Sequence, residues 1–170
     1  MDVLPDIVGT DPRVVFCGMA CAESTGRRDH YYAGPGNNFW SMLRESGLIP
    51  GAWGPGDEER LPDEGLGLTD VVRHISTTPP TYDAVELLAK VRAWRPEWLA
   101  FTSKTVAQGT ARALGMRRPQ LGVAEWDLGA TSVYVLPGTS GANQRRDYDG
   151  RPDRLSWWRD LAFLAASGAP

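Results

Sequence analysis

Val14-Val15-Phe16-Cys17-Gly18-Met19-Ala20-Cys21-Ala22-Glu23, followed by Tyr31-Tyr32-Ala33-Gly34-Pro35-Gly36-Asn37-Asn38-Phe39-Trp40, is the stretch from which the fold can be read. The apolar run at its start has the character of a buried strand. A polar, glycine-bearing loop follows. Asn37 or Asn38 then stands where a helix cap belongs, directly before Phe39-Trp40-Ser41-Met42-Leu43-Arg44-Glu45, and Gly47 ends that helix. Strand, loop and helix in this order build a ligand site at the carboxyl end of a strand in an open α/β sheet.

The same grammar recurs downstream. Leu66 to Val72 is a short apolar stretch with one acid, Asp70, and Thr77-Thr78-Pro79-Pro80 reads as a turn. Ala84 to Ala93 is amphipathic, with Val85, Leu88, Val91 and Trp94 on one predicted face, and Pro96 ends it. Trp98-Leu99-Ala100-Phe101-Thr102 is a second buried strand, and Lys104 to Leu114 is a helix closed by Gly115. Val123 to Trp126 reads as a short strand, Ser132 to Leu136 as a clear one, and Pro137-Gly138-Thr139-Ser140-Gly141 turns out of it. A last helix is expected over Arg151 to Ala166, burying Leu155, Trp158, Leu161 and Phe163 or Leu164. Residues 50–65, rich in Pro, Gly and acid, read as an exposed loop, and residues 1–12 as a loosely held lead-in. No repeat is visible. Alternating strands and helices predict a single-domain α/β three-layer sandwich over residues 1–170. Its centre is a mostly parallel four-stranded sheet with helices on both faces. Loops after different strands then share one edge.

Composition sets bounds. The chain has 170 residues, 42% hydrophobic and 23% charged, which is enough for a core and argues against disorder. No apolar run reaches membrane-spanning length, and the N-terminus lacks the pattern of a signal peptide. The expectation is a cytoplasmic monomer without a membrane partner. Two cysteines, Cys17 and Cys21, are too few for a structural zinc site or an iron–sulfur cluster, and both are expected as reduced thiols. No metal and no cofactor are expected. The net charge of −3 advertises no global nucleic-acid surface. Arginine supplies 16 of the 18 basic residues, and Arg145, Arg146, Arg151, Arg154 and Arg159 cluster near the C-terminus. Interleaved aspartates make a solvated mixed-charge surface as good a reading as a phosphate patch.

The first loop resembles the first motif of the uracil-DNA glycosylase superfamily, most closely its mismatch-specific branch. Gly18, Tyr32, Pro35 and Asn37-Asn38-Phe39-Trp40 match that pattern, and the spacing from Gly18 to Trp40 fits without insertion. The resemblance extends over most of the chain and implies removal of a base from DNA. One departure stands out: Ala20 occupies the position of the family's catalytic asparagine, and Met19 the position where a related branch has an acid. Strict transfer of the family's chemistry would therefore make this a weak or inactive enzyme.

Cleaving an N-glycosidic bond builds positive charge on the sugar and negative charge on the base. A site needs donors for the base oxygens and a polar or acidic group near the sugar. It also needs a wall for the extruded base. Tyr32 is the expected wall, and the backbone amides of Ala20, Cys21 and Ala22 the expected donors. Asp70 is the expected catalytic acid. The segment Leu66 to Val72 resembles the family's third active-site segment, and a lone acid in an apolar run is costly unless paired or functional. The competing reading has Asp70 capping a turn or pairing with Arg73. Glu23 and Asp29 are reserve acids, whereas His30 and His74 read as surface or turn residues. Asn37 either contacts the base or caps the following helix.

Leu136 to Arg145 resembles the family's second motif, a loop that enters the minor groove. Ser140 is a candidate base contact, and Gly138, Gly141, Ala142, Gln144, Arg145 and Arg146 are candidate DNA contacts. Ala142, at the wedge position, is too small to plug a duplex, which favours tolerance of single strands; Gln144 or Arg145 are the larger side chains that can substitute. Lys104 is a further phosphate candidate. The reading is a monofunctional glycosylase acting on uracil in single- and double-stranded DNA. The alternatives are an inactive DNA- or uracil-binding member of the same fold and a glycosylase for another deaminated base such as hypoxanthine. A small-molecule hydrolase is disfavoured because the G-x-S-x-G spacing is missing.

Overall fold

A computed structural model describes residues 4–20, 29–72, 80–141 and 147–167. Its strands are β1 (Val14–Met19), β2 (Leu66–Val72), β3 (Trp98–Phe101), β4 (Gly122–Leu128) and β5 (Thr131–Val135). Its α-helices are α1 (Phe39–Glu45), α2 (Ala84–Trp94), α3 (Lys104–Ala113) and α4 (Arg154–Ala166), with a 3-10 helix over Glu58–Glu64. The strands form one sheet in the order β2-β1-β3-β5-β4. All neighbours are parallel except β4 and β5.

The period of two along each strand sorts the core into two layers. Val14 and Phe16 of β1, Leu66 and Leu68 of β2, Trp98 and Ala100 of β3 and Tyr134 of β5 face α1 and α4. There Trp158 stacks on Phe16 at 5.5 Å, and Phe39 meets both edge-on. Cys17, Leu99, Phe101, Val133 and Val135 face the other way, onto Leu87 and Val91 of α2 and Val106 and Ala107 of α3. Continuous apolar runs in β1 and β3 are thus two half-patterns, each buried by its own helix pair, as parallel sheets require.

Several expectations need correction. The sheet has five strands rather than four, because the Leu128–Thr131 turn folds β4 back antiparallel along β5. The lead-in is not loose from residue 4 onward. Ile7 exchanges backbone hydrogen bonds with Leu68 at 3.0 and 2.7 Å and is 9% exposed. Residues 50–65 are not simply an exposed loop, since the 3-10 helix buries Leu61 and Glu58. In α2 Val91 is buried as predicted, but the rest of the buried face is Ala84 and Leu87, and Val85 is 78% exposed. Helix α4 starts at Arg154, where Asp153 caps it, and Phe163 is 72% exposed while Trp157 and Trp158 are buried. Of the predicted turn at 77–80, residues 77–79 lie outside the described residues.

Gly67 permits the docking of the lead-in: a Cβ there would lie 2.8 Å from the Ile7 carbonyl oxygen. Gly67→Ala is expected to destabilise the protein by about 1–3 kcal/mol through overpacking. Urea unfolding measures the loss, and faster amide exchange at Ile7 locates it.

Candidate functional site

The layer facing α1 and α4 changes character at the carboxyl edge of the sheet. Phe16, Leu68 and Ala100 lie side by side in register, and two residues further on, Gly18 lies opposite Asp70. Thr102 follows β3 with its N–H on the Cys17 carbonyl at 3.0 Å. One step of the pleat therefore replaces an apolar row with glycine, a carboxylate and a hydroxyl. Gly18 leaves the room in which they gather. A Cβ on it would lie 2.6 Å from the Tyr32 hydroxyl, 3.1 Å from Thr102 Oγ1 and 3.2 Å from Asp70 Oδ1.

The Tyr32 hydroxyl donates to Thr102 Oγ1 at 3.1 Å, and Thr102 donates to the Cys17 carbonyl at 3.3 Å. The Tyr32 ring stacks on Phe39 with centroids 3.8 Å apart. Burial pushes the Tyr32 hydroxyl well above its ordinary pKa, and the nearby Asp70 carboxylate pushes it further, against the opposing effect of Thr102. The Cys17 thiol is raised by burial first and by Asp70 second. Asp70 is 8% exposed, so its carboxylate sits in a largely dry setting.

Tyr32 holds a φ of +52°, a left-handed conformation that is costly for a bulky residue. Its neighbour fixes it there. The Tyr31 N–H donates to Glu58 Oε1 at 3.1 Å, the Tyr31 hydroxyl to the Pro5 carbonyl at 3.0 Å, and the Trp40 indole to the Tyr31 carbonyl at 3.2 Å. Glu58 also receives the Gly56 N–H at 2.9 Å and lies 3.1 Å from His30 Nδ1.

The loop after β5 meets the first loop. The Asn38 N–H donates to the Thr139 carbonyl at 2.8 Å. Gly141 lies so close to Gly36 that a Cβ on it would be 2.6 Å from the Gly36 carbonyl oxygen. Gly36 itself has a φ of +73°. From the far side, Arg154 donates to the carbonyls of Gly138 and Ser140 at 2.9 and 3.0 Å.

The structure thus brings Asp70, Tyr32 and Gly18 together and sets Gly138, Ser140 and Gly141 on the adjoining loop. Other expectations change. The Ala20 N–H donates to the Val72 carbonyl at 2.7 Å, so the sheet ladder uses the amide expected to serve a base. Asn37 Oδ1 accepts the Phe39 N–H at 2.9 Å, which ties it to the start of α1 one residue before the helix cap, Asn38. Lys104 pairs with Asp149 at 2.7 Å. Arg151 lies over the Trp157 ring at 3.7 Å and donates to the Ser156 carbonyl, so it belongs to the α4 surface and not to a free phosphate patch. Cys21, Ala22, Glu23, Arg73, His74, Ala142, Gln144, Arg145 and Arg146 lie outside the described residues. Asp29 is exposed. Among the described residues, no three His, Cys, Asp or Glu side chains gather as a metal site would need.

Sequence reasoning overlooked Thr102, Phe39 as the partner of Tyr32, and Glu58, and it placed Arg154 only in a cluster of arginines, not on the loop carbonyls it bonds. Thr102 carried the same signal as Asp70, a polar residue at the carboxyl end of an apolar strand. Glu58 carried none, being one acid in an acidic segment.

An open, mostly parallel sheet with helices on both faces and polar loops gathered at its carboxyl edge is the α/β architecture in which ligand sites form at strand ends. The model of the Uracil DNA glycosylase superfamily matches residues 5–162, and the chain belongs to that superfamily. A similar solved structure is the solution NMR structure of a protein from Methanosarcina acetivorans named a "putative Uracil DNA glycosylase". It shares 17% identity, with a TM-score of 0.56 over 94% of this chain and 97% of that one. At that distance the likeness is one of fold.

Two outcomes are expected. Gly18→Ala should evict the Tyr32 hydroxyl and break its bond to Thr102. The cost is about 1–3 kcal/mol, which Tyr32→Phe in the same background should partly relieve; unfolding curves of the two variants test this. Second, Tyr32 binds its proton more tightly folded than unfolded, so its contribution is complete below the ordinary pKa of 10.0 and shrinks as pH rises above it. Stability should fall above about pH 10, and Tyr32→Phe should flatten that fall in alkaline urea titrations.

Proposed function

We propose that this chain hydrolyses the N-glycosidic bond of uracil in DNA, in single and double strands, leaving an abasic site without cutting the strand. The observation that carries the reading is the gathering of Asp70, the Tyr32 hydroxyl and Thr102 around Gly18, in a chain of the uracil DNA glycosylase superfamily. On this reading the extruded base lies against the Tyr32 wall, which is itself braced by Phe39. Asp70 is the catalytic group. Its carboxylate stabilises the cationic sugar and orients a water that adds to C1′ as the bond to the base breaks. The electron pair of that bond leaves with the base, and the water's proton is passed on through Asp70. Donors to the base oxygens come from the amides of Cys21 and Ala22 and from Ser140. Gly138, Gly141, Ala142, Gln144, Arg145 and Arg146 hold the strand. No lysine is offered as a nucleophile: Lys90 is engaged by Asp6 and Glu86, and Lys104 by Asp149. The protein acts as a cytoplasmic monomer.

One observation favours a second reading. Ala20 supplies neither a polar side chain nor, in its ladder bond, a backbone donor, so a binding protein without turnover is the rival. Single-turnover assays on uracil oligonucleotides separate the two: abasic product supports the enzyme, and binding without product supports the rival. Hypoxanthine and thymine-mismatch oligonucleotides in the same assay define the range of bases. Asp70→Asn is expected to slow cleavage by about a hundredfold or more with little change in DNA affinity. A near-normal rate in that variant would remove Asp70 from the catalytic role.

A further inference from the structure

We infer that Arg154 is a positioning residue for the loop 138–141, a clamp that fixes the shape this loop offers to DNA; the DNA part of the inference rests on the proposed glycosylase reading. Arg154 is the first residue of α4, directly after the capping Asp153. A cation at that end opposes the helix dipole, so the residue is not there for the helix's benefit. Its guanidinium instead reaches back across 16 and 14 residues, and one nitrogen bonds both the Gly138 and Ser140 carbonyls. A planar trans peptide points its N–H opposite its C=O. The clamp therefore turns the N–H groups of Thr139 and Gly141 away from α4. Between them, the Thr139 carbonyl is held by the Asn38 N–H at 2.8 Å. Three successive carbonyls are thus fixed in alternation, two toward α4 and one toward α1. Carbonyl oxygens repel a phosphate backbone and N–H groups attract it, so this polarity matters where the partner is a polyanion. The turn's glycines oppose no bending, and without the clamp the loop would have to order itself on binding.

The alternative role for an arginine here is direct contact with phosphate, and the two roles predict different salt behaviour. Arg154→Met and Arg154→Lys would be compared with the wild type in three measurements. These are amide exchange, cleavage at saturating enzyme, and affinity for an oligonucleotide whose 2′-fluoro sugar resists cleavage. In R154M, exchange across 138–141 should rise about tenfold or more while β5 and α4 stay protected. Affinity should weaken about tenfold. The slope of log affinity against log salt should not change, and the cleavage rate at saturation should fall severalfold, because the loop carries Ser140, the donor to the departing base. A slope reduced by about one unit would make Arg154 a phosphate ligand and overturn the clamp. Unchanged loop exchange in R154M would overturn it too. R154K keeps the charge but not the guanidinium that bonds both carbonyls; it should still raise loop exchange severalfold, and wild-type exchange in it overturns the clamp. If the wild type neither binds nor cleaves uracil DNA, the glycosylase reading fails, and loop exchange alone still decides whether the clamp exists.

Discussion

Everything at the carboxyl edge of this sheet depends on the empty space above Gly18. A side chain there would collide with the Tyr32 hydroxyl before anything else. Because the space is open, a tyrosine from the following loop reaches over β1 and touches Thr102 on the neighbouring strand end, with Asp70 across the row. Three elements far apart in sequence are thereby tied at one point. Phe39, on the helix that follows the loop, holds the other face of the ring.

The cost of this arrangement is local and visible. Tyr32 sits in a left-handed conformation, and a carboxylate is drawn into a place where only 8% of Asp70 meets solvent. Such costs persist only where surrounding contacts hold them. For the Tyr32 backbone the holding falls to Tyr31, whose N–H, hydroxyl and carbonyl are all bonded, and to buried Glu58, which receives the N–H. The 3-10 helix that carries Glu58 is thus part of the site's support. The two loops are linked as firmly. Gly141 approaches Gly36 as only a glycine can, and the Asn38 N–H closes the contact on Thr139.

Ala20, whose side chain carries no polar atom, gains meaning in this setting. The position lies at the end of β1, where its own N–H completes the ladder to Val72. Its backbone serves the sheet. On the proposed reading the chemistry has moved sideways in the sheet, to the acid on β2 that lies opposite Gly18. Asp70 and the Tyr32 hydroxyl both lie against Gly18 on that face.

The sequence alone determined the alternation of strands and helices, the buried character of β1, β3 and β5, and the choice of Asp70 and Tyr32 as residues to watch. These follow from local rules: apolar runs, caps, and the cost of an acid among apolar neighbours. The tertiary structure decided the rest. The pairing of β4 with β5 and the docking of Ile7 on Leu68 are long-range backbone bonds that no local pattern encodes. Val85 and Phe163 face outward because the rotation of each helix is set by what it packs on, not by its own stripe alone. Thr102 and Glu58 acquire their roles only through partners 70 and 27 residues away. A pattern read along the chain carries the period of each strand, but only pairing in register brings Gly18, Asp70 and Thr102 into one row.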